Sequence, residues 1–149
     1  MSTSSVMAQH HSAAAGPILV YDGDCAFCTR AVQFVLRHDR RGALRFAARD
    51  SHTGRAVRAR HAHLMTAESL LWVEMHDGRE VVVTYSDAVL ATARYLGGLY
   101  GVLAALGTLV PRALRDPVYH VIARLRKRLM RGAGACHLPA PHELLRMLP

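Results

Sequence analysis

The stretch from Ile18 to Cys28, Ile-Leu-Val-Tyr-Asp-Gly-Asp-Cys-Ala-Phe-Cys, leaves few choices for how this chain begins to fold. Its apolar run has the length and composition of a strand buried on both faces, and the Asp22-Gly23-Asp24 turn stops it. Beyond the turn, Cys28, Ala31, Val32, Val35 and Leu36 recur at offsets of three and four, with Thr29, Arg30, Gln33 and Arg37 between them. That period is helical and turns one apolar face toward a core. A helix is therefore predicted from about Cys25 to His38, with Gly42 as its stop. The two cysteines fall where a strand hands over to the first turn of a helix.

The first turn of a helix leaves N–H groups unpaired and carries the positive end of the macrodipole. A thiolate there is stabilised, and the thiol pKa can fall from about 8.5 to roughly 3.5–7.5. The Cys-x-x-Cys spacing brings the second sulfur close enough to close a disulfide. On this reading Cys25, at the exposed lip, is the nucleophile of a thiol–disulfide exchange, and Cys28, one turn in, resolves the mixed disulfide. Two other readings stand beside it. The pair could be half of a zinc site, whose only downstream candidates are the adjacent Cys136 and His137. It could also be two structural cysteines packed as small hydrophobes. The expectation is redox chemistry without a bound metal or cofactor.

Further along, Ala43 to Ala48 reads as a second strand, and strand–helix–strand at this spacing is a parallel βαβ unit. Asp50 to Ala62 is a weaker helix, with Ser51 or Thr53 as N-cap and Gly54 against it. Its Arg55, Arg58, Arg60, His61 and His63 form a solvated basic face. Ser69 to Met75 and Glu80 to Thr84 are strands joined through Asp77-Gly78, a hairpin signal because both turn residues need positive φ. Trp72 is assigned to the core. Ser86 is the expected N-cap of the next helix, Asp87 complements its dipole, and Gly97-Gly98 ends it. The order β-α-β-α-β-β-α makes an α/β domain with a four-stranded mixed sheet and flanking helices. It is the thioredoxin and glutaredoxin layout, with the redox pair at the first βα turn.

From about residue 99 the chain is a helical extension. Tyr95 to Val110 carries no charge and is shorter than the roughly twenty residues a bilayer span needs. It is read as a helix end, a Gly-Gly break and a buried second helix. Asp116-Pro117 looks like an N-cap and first helical residue. Val118, Val121, Ile122, Leu125 and Leu129 make an apolar stripe, and Arg124, Arg126, Lys127, Arg128 and Arg131 crowd the end of the same helix. Those cations suit the helix dipole; they also suit acidic lipid headgroups or a protein partner, the alternative being a non-enzymatic thioredoxin-like binding module that uses this helix. Without aromatic platforms among them, nucleic acid is not an expected partner. Gly132 to Pro141 is a loop carrying Cys136, followed by a short closing helix from His142 to Leu148.

Composition bounds the rest. At 149 residues, half of them apolar, the chain suits one globular domain over residues 17–149. Three cysteines do not make a disulfide scaffold and fit a cytoplasmic setting. Residues 1–16, rich in Ser, Ala and His, read as a disordered leader rather than a secretory signal. The net charge of +8 is concentrated after residue 100, where eight basic residues face only Asp116 and Glu143.

Several blocks together resemble one family. Asp22-Gly23-Asp24-Cys25-Ala26-Phe27-Cys28 is similar to the signature of the DCC-type thiol-disulfide oxidoreductases. So are Ser86-Asp87-Ala88-Val89, Leu96-Gly97-Gly98, Arg115-Asp116-Pro117-Val118-Tyr119 with Ile122-Ala123-Arg124, and Cys136-His137-Leu138-Pro139. The resemblance runs from about Ile18 to Leu145. It implies a thioredoxin-like fold, a protein or low-molecular-weight thiol or disulfide as substrate, and an external reductant. It also implies that Asp22 joins Cys25 and Cys28 in the site, as a proton shuttle toward Cys28. The alternative for Asp22 is local hydrogen bonding that forms the turn. Thioredoxins carry a proline before the third strand; this chain has none between Pro17 and Pro111, the matching place being Thr66 to Ser69.

Overall fold

The computed structural model describes residues 16–64, 69–129 and 141–149. The opening run forms β1 (Ile18–Tyr21), and the periodic segment after the turn forms α1 (Ala26–His38). Asp39 closes α1: its carboxylate accepts from the backbone N–H groups of Arg41 and Gly42, each at 3.0 Å. Gly42 takes φ +65°, the left-handed conformation that suits it to stop a helix. β2 (Arg45–Ala48) then pairs parallel with β1, as the βαβ reading requires. α2 (His52–Arg60) starts at Ser51, whose hydroxyl accepts from Gly54 N–H, and a 3-10 turn follows at Ala62–Leu64. β3 (Leu71–His76) and β4 (Arg79–Thr84) form the expected hairpin, with Asp77 and Gly78 at φ +48° and +76°.

The sheet order is β4-β3-β1-β2-β5, so β1 is central. Register sorts the core into two layers. Leu19 sits opposite Phe46 and Trp72, and these pack with Val32, Val35, Leu36 and Ala88 from the helices on one face. Val20 sits opposite Ala47 and Leu71, which pack with Val57 and Leu64 on the other. Alternation along a strand sends successive side chains to opposite faces, which is why β1 is apolar at consecutive positions. Trp72 is core, its Nε1–H donating to Glu74. The result is a thioredoxin-like mixed sheet, but with five strands where the sequence suggests four.

The fifth strand comes from the predicted closing helix. α6 is confined to Pro141–Leu144, and Met147–Leu148 instead pair parallel with β2 as β5. Arg146 explains the change. Its guanidinium pairs with the buried Asp39 carboxylate and donates to Leu44 O, and its own carbonyl accepts from Phe46 N–H. The chain is thereby drawn along the sheet edge, with Met147 and Leu148 completing one core layer each.

Three further expectations change. α3 (Tyr85–Leu96) is preceded by Thr84 as N-cap, not Ser86, whose buried hydroxyl donates to Asp116 instead. α4 (Gly98–Thr108) does follow a break, with Gly97 and Gly98 at φ +69° and +55°, but it is not buried: Ala104 alone is enclosed. Gly107 faces α3, where a Cβ would lie 2.7 Å from Leu90, and the leucines of α4 are left pointing outward. α5 (Arg112–Leu129) starts before Asp116 and runs through Pro117. The Pro111 carbonyl already accepts from Leu114 and Arg115, so Pro117 forfeits one backbone bond inside an established helix. Asp87, beyond its place in the first turn of α3, pairs with Arg112 at 2.6 Å and Arg115 at 3.0 Å. The sequence-predicted leader and the Cys136 loop lie outside the described residues.

Gly54 gives the fold a sharp test. Alanine normally stabilises a helix interior over glycine by about 1 kcal/mol. Here a Cβ would lie 2.1 Å from Ala48 O and 2.7 Å from Arg49 O, both backbone atoms that cannot swing away. Gly54→Ala should therefore lower stability by about 1–3 kcal/mol in chemical unfolding, overpacking outweighing propensity.

Candidate active site

The βαβ crossover sets the end of β1 beside the end of β2 and opens α1 at that edge. Within the turn, Cys25 N–H donates to Asp22 O at 3.3 Å and Asp24 N–H to Asp22 Oδ1 at 3.2 Å. Asp22 is thus a turn-former, as an Asp at this place commonly is. Its carboxylate also faces Arg49 at 3.8 Å across the β1–β2 edge. Cys25 is the N-cap of α1 with extended backbone, and Thr29 N–H and Oγ1 both donate to its carbonyl. Its side chain is partly exposed, whereas Cys28, one turn on, is buried at 5%. The two thiols lie within hydrogen-bonding reach of each other.

What surrounds Cys28 comes from α5. Arg126, itself buried, turns its Nη1 onto Cys28 Sγ. Tyr119, from the same face of α5, accepts from Leu70 N–H at 3.1 Å and stacks edge-on against Tyr85. A cavity of about 370 Å³ opens beside Cys28, walled by Leu19, Val35, Leu70, Tyr119 and Ile122, with Phe34 toward its rim. Among the described residues Arg126 is its one charged wall.

Burial dominates the electrostatics of this thiol. It pushes the Cys28 pKa up to about 12, helped by the hydrogen bond with Cys25 and by the charges of Cys25 and Asp22, while Arg126 pulls it down. Burial likewise raises Tyr119. The guanidinium is therefore the group in contact with Cys28 that favours its thiolate.

The sequence reading of Asp22, Cys25 and Cys28 is of three residues at one turn, and the structure holds them there together. Arg126 and Tyr119 are additions that the sequence reading did not name as site residues. Tyr119, Ala123 and Arg126 stand at i, i+4 and i+7, on the side of the helix that flanks the apolar stripe; an arginine on that face is the available signal. The basic face of α2 is less free than expected, since Arg60 and His61 both pair with Glu80 of β4, at 2.7 and 2.9 Å. Among the described residues no three His, Cys, Asp or Glu side chains converge as metal ligands would. Cys136 and His137, the second half of the zinc alternative, lie outside them.

The family model for DCC1-like thiol-disulfide oxidoreductases matches residues 19–132. The uncharacterized protein YuxK of Bacillus subtilis is 34% identical over 132 residues, which cover 89% of this chain and 93% of YuxK. A chloroplastic DCC family protein of Arabidopsis thaliana is 29% identical over 122 residues, 82% of this chain and 69% of that one. No solved structure matches the chain.

The raised Cys28 pKa has a consequence for stability. The folded thiol keeps its proton up to about pH 12, whereas the unfolded one loses it near the ordinary value of 9.0. Its contribution is therefore fully present below about pH 9 and fades as pH rises toward 12. In the reduced protein Tm should fall as pH rises above about 9, and Cys28→Ala should flatten that fall.

Proposed function

We propose that this chain, which belongs to the DCC1-like thiol-disulfide oxidoreductase family, exchanges disulfides with a protein or small-thiol client through Cys25 and Cys28. The observation that carries the reading is the asymmetry of the pair: Cys25 partly exposed at the mouth of α1, Cys28 buried one turn inside and in reach of it. In the reducing direction, the Cys25 thiolate attacks one sulfur of the client disulfide. A Cys25–client mixed disulfide forms, and the other client sulfur leaves as a thiolate and takes up a proton. Cys28 then gives up its proton and attacks Cys25 Sγ, forming the Cys25–Cys28 disulfide and releasing the second client thiol. The client gains two electrons and the pair loses them. An external thiol reductant restores the pair, which suits the reducing cytoplasm.

The second step is the demanding one, because a thiol held up to about 12 must deprotonate. Arg126 stabilises the thiolate by contact, and the Asp22 carboxylate is the base that carries the proton away. Reduction of a test disulfide should fall to background in Cys25→Ser. Cys28→Ser should accumulate a mixed disulfide on Cys25, detectable by intact mass. Unchanged turnover in Cys25→Ser overturns the assignment.

The role of Asp22 separates from its charge. Removing that charge in Asp22→Asn makes Cys28 more acidic, which by itself speeds resolution. If Asp22 carries the proton, resolution instead slows, by roughly tenfold or more. Arg126→Met, which withdraws the favourable charge, should slow the same step and shift its pH profile upward. Rapid-mixing kinetics of mixed-disulfide decay reads both variants.

A further inference from the structure

α5 is turned inside out relative to an ordinary surface helix. The side toward the body carries Tyr119, Ala123 and Arg126, and its Asp116 is hydrogen-bonded to Ser86. The side away from it carries Leu114, Val118, Val121 and Leu125, all about half exposed or more. At 3.6 residues per turn these four fall within about 60° of one another. Arg124 and Arg128, both exposed, border the stripe on one side. Ile122 borders it on the other and leads into the wall of the Cys28 cavity. α4 adds a second outward apolar surface, with Leu99 and Leu106 at 70% and 56% exposure, and its Tyr100 borders the same cavity. α4 has no charged residue, and Asp116 is the only acid on either helix.

From this arrangement we infer that the outer faces of α4 and α5 dock on the surface of an anionic lipid bilayer, with the apolar stripe at the acyl boundary and Arg124 and Arg128 among the headgroups. An aliphatic stripe edged by arginines is what an interfacial helix presents. No helix among the described residues is long and apolar enough to cross a membrane, so the contact lies in the interface plane. Charge decides between a bilayer and a second copy. A two-fold pairing of the stripe with itself would bring Arg124 and Arg128 of both copies toward one seam, and no outward carboxylate on α4 or α5 offsets them. A phosphodiester surface supplies the missing negative charge and the apolar layer together. Docking this way sets the Cys28 cavity at the lipid boundary, whether or not Cys25 and Cys28 exchange disulfides.

The test is vesicle flotation with the full chain, comparing phosphatidylglycerol-containing vesicles with pure phosphatidylcholine. Binding is expected to the anionic vesicles and to weaken with salt. Val121→Glu with Leu125→Glu should weaken it by roughly tenfold or more, and Arg124→Gln with Arg128→Gln should remove the preference for anionic lipid. Val121→Ser with Leu125→Ser replaces the acidic pair if that pair lowers the Tm. Leu125→Trp should blue-shift its fluorescence on binding and be quenched by brominated acyl chains. Absence of binding to either vesicle overturns the inference. So does binding indifferent to the stripe variants, or a dimer in solution that those variants dissociate.

Discussion

A thiol and a guanidinium held together in an apolar wall organise this molecule. Cys28 on α1 and Arg126 on α5 are 98 residues apart in the chain and meet in the wall of one apolar cavity. Burial drives the thiol toward its neutral form, and the cation opposes that drive. The balance works only if α5 is fixed. Ser86 bonded to Asp116, and Asp87 paired with Arg112 and Arg115, clamp the first turns of α5 to the start of α3. The clamp lies about three to four turns of helix from Arg126, so rigidity of α5 transmits it to the site.

The sheet supplies the other half of the positioning. Because β1 is central and buried on both faces, the turn that follows it leaves the sheet at a place its neighbours determine. A Cβ on Gly23 would lie 3.3 Å from Ala48 Cβ, and Arg49 reaches back to Asp22, so the end of β2 shapes the loop that presents Cys25. Arg146, pairing with Asp39, ties β5 to the far end of the same βαβ unit. The site therefore rests on contacts made by both ends of the described chain.

Much of this was legible in the residues. The strand, the Asp-Gly-Asp turn, the helical period and the Asp77-Gly78 hairpin are local signals, each written in neighbouring residues whose conformational preferences agree. Asp22, Cys25 and Cys28 could be read together because they share one turn. Arg126 could not be singled out, since an arginine in a basic cluster reads the same whether it faces solvent or a thiol. The lack of charge in α4 points to the core. Composition says that a helix is apolar, not which side its small residues will turn to a neighbour.

The sequence by itself determined the central βαβ unit, the hairpin and the cysteine pair at the mouth of α1, because these depend on interactions between residues near one another in the chain. Only the tertiary structure decided that Met147 and Leu148 form a strand, that α5 delivers Arg126 to Cys28, and that the leucines of α4 and α5 face outward. Those outcomes rest on Arg146 meeting Asp39, and on Asp116 and Asp87 meeting their partners, across separations that no local preference records.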